Sequence, residues 1–349
     1  MSRYRWALTG LAGFAVLTVV LTALLRSTPP TAATGSGNAA LIPTDQRMNA
    51  AEFTGLDGWL NSPPLTVNGL RGKVVLVDFW TFSCVNCVRT IPHLQHLQQA
   101  YGSRGLVIVG VHSPEFDFEK VRSNVAAAVQ RFGVTWPVAL DSEMNTWNAY
   151  SNQYWPAEYL IDQSGRVAYM HDGEGDYDVT ESAIAALLGI SASPTPVAPT
   201  PDISSQTPEL YAGSDRGQLA DGEIYGGMGQ PTHYADPGAP HDNDQILVTG
   251  TWADDGQYLQ STTPGHVRLS FAARDLYLVA GPDSGPVHVS VTVDGAVVPA
   301  AQRGPDLPAS GLVVGSQQLY HLLQGQGGNR HLIDLAVPAG FRLYTFTFG

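Results

Sequence analysis

Val74-Val-Leu-Val-Asp-Phe-Trp80 leads through Thr81-Phe-Ser83 into Cys84-Val-Asn-Cys87. Lys73 to Phe79 reads as a continuous apolar strand, the pattern of a sheet covered on both faces. From about Cys84 to Tyr101 the sequence reads as a helix. Val88, Ile91, Leu94 and Leu97 recur along one face, and Pro92 is expected to kink it. Two thiols separated by two residues at a helix start can open and close a disulfide. These are the only 2 cysteines in 349 residues. That number excludes a disulfide-stapled scaffold and argues against a structural zinc site built from cysteines.

A thiol attacks only as a thiolate. The unpaired N–H groups and positive dipole end of a helix N-terminus favour that form. Cys84 sits there and is expected to be the exposed nucleophile. Cys87, one turn in, is expected to be more buried and to resolve the mixed disulfide. Asp78 lies in the apolar strand, where a carboxylate is costly without a task. Its expected task is to take the proton from Cys87; the alternative is a solvated strand-end aspartate. In sites of this kind a cis proline before the antiparallel hairpin aligns an extended peptide. Pro156 holds that position, and Pro137 precedes an earlier strand. Trp80, Phe82 and Trp155 are candidate groove walls or core residues. Glu115, at the end of the strand that closes on His112, is a candidate second carboxylate near the thiols. A permanent structural disulfide would close too small a loop to stabilise much. A metal would need more ligands than the pair supplies, and His93 reads as a surface helix residue. No metal and no cofactor beyond the redox-active disulfide is expected.

Around this core the order is α/β with a mixed sheet. Gly105–His112 and Val138–Asp141 read as further strands, and Phe118–Phe132 as a helix. Tyr159–Asp162 and Arg166–Met170 form a hairpin about Gly165, and Thr180–Leu188 closes the unit as a helix. The acidic run Asp172, Glu174, Asp176 and Asp178 reads as a solvated turn, with a calcium site as the alternative. Prolines from Ser191 to Ser205 exclude helix and central strand. Beyond them, Val287-His-Val-Ser-Val-Thr-Val293 alternates with period two and meets the turn Asp294-Gly295. His266–Leu278 and Arg330–Phe348 alternate likewise, which predicts an all-β sandwich. Its Trp252, Tyr258, Tyr320 and His321 are candidates for sugar stacking or for core. The expected organisation is an anchor and stalk at 1–45, a redox domain at 46–190, a linker at 191–207 and the sandwich at 208–349.

Ala7 to Leu25 is uncharged and, at about 1.5 Å per residue, long enough to cross a bilayer core. Arg3, Arg5 and Arg26 flank it. The expectation is a single-pass anchor with its N-terminus in the cytoplasm and both domains outside, or a secreted protein if the segment is cleaved. The composition is 44% hydrophobic and 14% charged, with a net charge of -13. Such a chain is globular and is no partner for nucleic acid.

Asp78-Phe79-Trp80, the cysteine pair, the proline-bearing helix and Trp155-Pro156 resemble thioredoxin-like proteins, and the insertion between that helix and the hairpin resembles the exported TlpA/ResA branch. The pattern is similar to the soluble part of DipZ-type proteins. It is carried by Trp59-Leu-Asn-Ser62, Phe79–Cys87, His112-Ser-Pro-Glu-Phe116, Tyr154-Trp-Pro-Ala157 and Gly173-Glu-Gly-Asp-Tyr177. Past the linker it continues in Thr207-Pro-Glu-Leu-Tyr-Ala-Gly213 and Tyr344-Thr-Phe-Thr-Phe-Gly349, so it covers about 46–349. The resemblance implies a thiol–disulfide oxidoreductase acting on envelope protein thiols, in the reductive direction. It implies a separate membrane electron donor of the CcdA/DsbD type, and a C-terminal domain similar to a carbohydrate-binding module, whose partner would be a glycan. The alternative is a glycan- or envelope-protein-binding module with an accessory redox domain. Ser83 and Val85-Asn86 depart from the Trp and Gly-Pro of common thioredoxins at these places, which bears on reduction potential.

Overall fold

The computed structural model describes residues 41–192, 206–238, 243–327 and 329–349. The expected anchor at 7–25, nearly all of the stalk and most of the linker lie outside the described residues.

In the first half the strands are β1 (Gly58–Leu60), β2 (Val74–Trp80), β3 (Leu106–His112), β4 (Val138–Leu140), β5 (Ala157–Ile161) and β6 (Val167–Asp172). The helices are α1 (Val85–Tyr101), α2 (Arg122–Arg131), α3 (Asn145–Ala149) and α4 (Tyr177–Leu188). The strands form one mixed sheet in the order β1-β4-β3-β2-β5-β6. β2 lies at its centre, parallel to β3 and antiparallel to β5. Every residue of β2 is buried, as its unbroken apolar run requires. Alternate residues face opposite layers. Val74, Leu76 and Trp80 join the core built with α1, α2 and α4, and Val75, Val77 and Phe79 join the one that holds Trp147 of α3. β1 and α3 go beyond the sequence expectation; elements this short carry little periodicity.

The second half is all β: β7 (Leu210–Tyr211), β8 (Thr232–Tyr234), β9 (Ile246–Asp254), β10 (Leu259–Ser261), β11 (Gly265–Phe271), β12 (Leu276–Pro282), β13 (Val287–Val293), β14 (Ala296–Val297), β15 (Leu312–Val314), β16 (Gln318–Leu323), β17 (His331–Val337) and β18 (Phe341–Phe348). All these strand pairs are antiparallel. β9 joins two faces. Ile246–Thr249 pairs with β11, and Gly250–Asp254 pairs with β8 and β10. The change comes at Gly250, whose φ of +95° is open to glycine at little cost.

The halves pack directly on one another. Val279, Leu319 and Tyr344 enter the same core cluster as α1 and β3. Phe116 and Phe118 meet Tyr344 edge-on at 5.2 and 4.9 Å. Arg131 pairs with Asp306 at 3.2 Å.

Candidate redox site

The loop between β2 and α1 is buried: Thr81, Phe82 and Ser83 are each at most 3% exposed. Glu119 fixes it. This fully buried carboxylate accepts from Ser83 Oγ at 2.6 Å and from Ser83 N at 3.2 Å. Its other oxygen accepts from the backbone of Glu115 and Phe116 at 2.7 and 3.0 Å. The residue before the first cysteine is therefore tied to the segment that follows β3.

Cys84 is the N-cap of α1. Its Sγ accepts from the N–H of Cys87 at 3.2 Å, so a sulfur takes the place of the usual capping oxygen. Both cysteines are free; Cys84 is partly exposed and Cys87 is 2% exposed. Burial, then the hydrogen bond and charge of Cys84, push the Cys87 thiol well up, and the charge of Asp78 adds to this. Cys87 therefore stays protonated until a base takes its proton.

Asp78 is 3% exposed, and its Oδ1 has no hydrogen-bond partner. It stands opposite Gly110 on β3 and Glu158 on β5. Burial first, and then the charge of Glu158, hold its carboxyl well above the usual carboxylate range. The Trp155–Pro156 bond at the head of β5 is cis. Trp155 is half-buried, donates from Nε1 to Ser113 O at 3.0 Å and packs 4.2 Å from Trp147.

Other expected residues lie elsewhere. Trp80 and Phe82 are core, 2% and 3% exposed, and clasp the His112 ring edge-on and face-on at 5.3 and 5.5 Å. Burial lowers His112 to about 3, so it is neutral. Glu115 does not turn to the thiols. It accepts from Tyr211 Oη at 2.8 Å and pairs with Arg216 at 2.7 Å, both in the second half, because the segment after β3 faces that half. His93 is no surface residue: it is 3% exposed and packs 4.5 Å from Tyr177 of α4, and burial lowers it to about 4. Within the acidic run, Glu174 is held by a two-pronged contact with Arg89 at 2.8–3.0 Å. No metal-binding cluster occurs among the described residues. A cleft of about 530 Å³ opens beside the cysteine turn, between Asn86, Arg89 and Glu174 on one side and Pro208, Glu209 and Thr347 on the other. In the second half Trp252 and Tyr320 are core at 1% and 3% exposure, while His321 stacks on Tyr277 at 4.2 Å.

The family model described as Redoxin matches residues 47–188, and that described as Thioredoxin like C-terminal domain matches 207–349. Protein DipZ of Mycobacterium tuberculosis is 36% identical over 318 residues, covering 86% of this chain and 43% of that protein. The chain is similar to this DipZ protein over most of its length, and its first half is similar to the Redoxin family. It spans less than half the length of that relative. Thiol-disulfide oxidoreductase YkuV of Bacillus subtilis is 25% identical over 142 residues, 41% of this chain and 95% of that protein. Thiol-disulfide oxidoreductase ResA of Halalkalibacterium halodurans is 29% identical over 114 residues, 33% of this chain and 62% of that protein.

The buried carboxylates Glu158 and Glu119 escaped the sequence reading. Glu158 is 2% exposed, has an unpartnered Oε1 and is pushed by burial to about 7. Its alternation signal was present: it stands among the apolar residues of Ala157-Glu-Tyr-Leu-Ile161, as Asp78 does in β2. Glu119 gave no such signal, since its surroundings read as an amphipathic helix.

Proposed function

We propose that this protein carries out thiol–disulfide exchange with protein substrates through Cys84 and Cys87. The observation that carries this is the asymmetry of the pair. One sulfur is accessible at a helix N-terminus; the other is buried, kept protonated and within the field of a buried carboxylate.

In the reductive direction, the Cys84 thiolate attacks a substrate disulfide. A Cys84–substrate bond forms, and the first substrate sulfur leaves as a thiolate. Cys87 then gives its proton to Asp78 and attacks Cys84 Sγ. The Cys84–Cys87 disulfide forms, and the second substrate sulfur leaves. The substrate is reduced by two electrons and the pair is oxidised. A separate membrane donor of the CcdA/DsbD type would restore the dithiol. Pro156, Trp155 and the cleft by Asn86 are the proposed bed for the substrate chain. The uncharged stretch at 7–25 supports tethering to a membrane, with both halves on its outer side.

The test is insulin reduction by the full chain. Cys84→Ser is expected to fall to background; retained activity would reject the proposal. Direction is read from the reduction potential. A value near the thioredoxin end of the roughly -270 to -120 mV range supports a reductant, and one near the other end an oxidant.

A further inference from the structure

We infer that Glu158 acts with Asp78, so that the base of the resolving step is a pair of buried carboxylates sharing one proton. Glu158 is then a positioning residue: it sets how readily Asp78 takes the proton of Cys87. The inference rests on the role proposed above for Asp78.

Three observations carry it. First, Asp78 and Glu158 are direct cross-strand partners on antiparallel β2 and β5, so their side chains leave the sheet on the same face. That face is the one bearing Leu76, Trp80 and Leu160, against which α1 packs with Cys87. Second, both are at least 97% buried by exposures of 3% and 2%, and each has one oxygen, Asp78 Oδ1 and Glu158 Oε1, with no hydrogen-bond partner. A natural fold rarely leaves two buried acceptors unsatisfied side by side without a use for them. Third, no ion pair holds them: among the described residues neither carboxylate forms one.

The groups that face the pair include one imidazole; the others are neutral or acidic. From α1 comes Cys87. From α4 come Thr180, which donates to Glu158 Oε2 at 3.0 Å, and Tyr177. From β6 come His171, the cross-strand partner of Glu158, whose buried Nε2 has no hydrogen-bond partner, and Tyr169, within 3.2 Å of Thr180 Oγ1. β3 offers only Gly110. Two carboxylates in such surroundings do not both ionise near neutrality, and their protons belong to the pair rather than to either residue. The ionised partner raises the proton affinity of the other, which makes the pair a better acceptor for a thiol proton than a lone solvated aspartate.

During resolution the Cys87 proton passes to the pair, the freed sulfur electron pair forms the bond to Cys84, and the substrate sulfur leaves with the electrons of the broken bond. The pair then returns its proton to solvent or to the leaving thiolate. A merely structural Glu158, anchored by Thr180, would affect folding but not the pH at which this step switches on.

The test follows the resolving step alone. A mixed disulfide of Cys84 with thionitrobenzoate is formed on the full chain, and release of the thiolate is timed between pH 5 and 9. In Glu158→Gln the acid limb of the profile is expected to move to lower pH, with about a tenfold slower release at neutral pH. An unmoved limb overturns the inference, whatever happens to the rate. Should Glu158→Gln fail to fold, carboxyl NMR titration of the unaltered protein decides. Two mutually dependent transitions displaced upward support the pair, and an independent Asp78 transition in the ordinary range overturns it. If the unaltered protein releases nothing, it is the proposed exchange function that fails, not this inference.

Discussion

The α/β half buries Asp78, His93, His112, Glu119 and Glu158, and several of their polar atoms have no partner. The β half handles charge in the opposite way. Arg268 spans Asp236 and Asp334 at 2.6 and 3.0 Å, His266 joins the same Asp334 at 2.7 Å, and His331 meets Asp294 at 2.8 Å, all at least partly exposed. Its one buried carboxylate, among the described residues, is Asp254, which accepts from the backbone of Ser214 and Gly256 at 3.1 Å. Buried ionisable groups cost stability and are kept where a pKa must be moved. The difference sets the first half, where the candidate redox site lies, apart from the second, where charges pair at the surface.

The comparison breaks most visibly if Asp78 proves dispensable. Asp78→Asn is expected to slow resolution by about 10²-fold at neutral pH, measured by stopped-flow thiolate release, because a neutral amide takes no proton. Leu269, fully buried in the β half, makes the opposite test. Leu269→Ala is expected to cost about 2–5 kcal/mol in urea unfolding and to leave exchange per folded molecule unchanged. A changed rate would mean that the β core also tunes the site.

How much of this was legible beforehand depends on how far apart in sequence the cooperating residues lie. The strand, the cysteine pair and α1 are consecutive, so periodicity and spacing displayed them together. The Asp78–Glu158 pairing is a fact of register between strands eighty residues apart, which one sequence does not display. Glu115 was placed at the correct end of the sheet, but the half that packs against that end was invisible in the pattern, so its partners Tyr211 and Arg216 were missed. His93 failed for a related reason. A polar residue on a helix counts as outward until a second helix, here α4 with Tyr177, covers it.

Acidity sharpens the contrast further. Burial raises Glu158 from 4.5 to about 7, so the folded chain holds a proton there that the unfolded chain has lost. That stabilisation is complete below about pH 4.5 and is lost as pH rises through 7. Urea unfolding at pH 5 and pH 8 is expected to show Glu158→Gln gaining stability relative to the unaltered protein as pH rises. A constant difference would remove Glu158 from the set of perturbed groups. The smallest effect concerns the contact between the halves. Arg131→Ala removes a partly exposed ion pair with Asp306, and a loss of no more than about 1 kcal/mol in the same assay is expected.

Trapping separates the roles proposed for the two sulfurs. The Cys87→Ser protein, reduced and mixed with a disulfide-bonded peptide, is expected to accumulate a mixed disulfide on Cys84, identified by mass spectrometry of the proteolysed adduct. The Cys84→Ser protein should form none. Equal adducts on Cys87 in the second variant, or none on Cys84 in the first, would contradict the assignment of attacker and resolver.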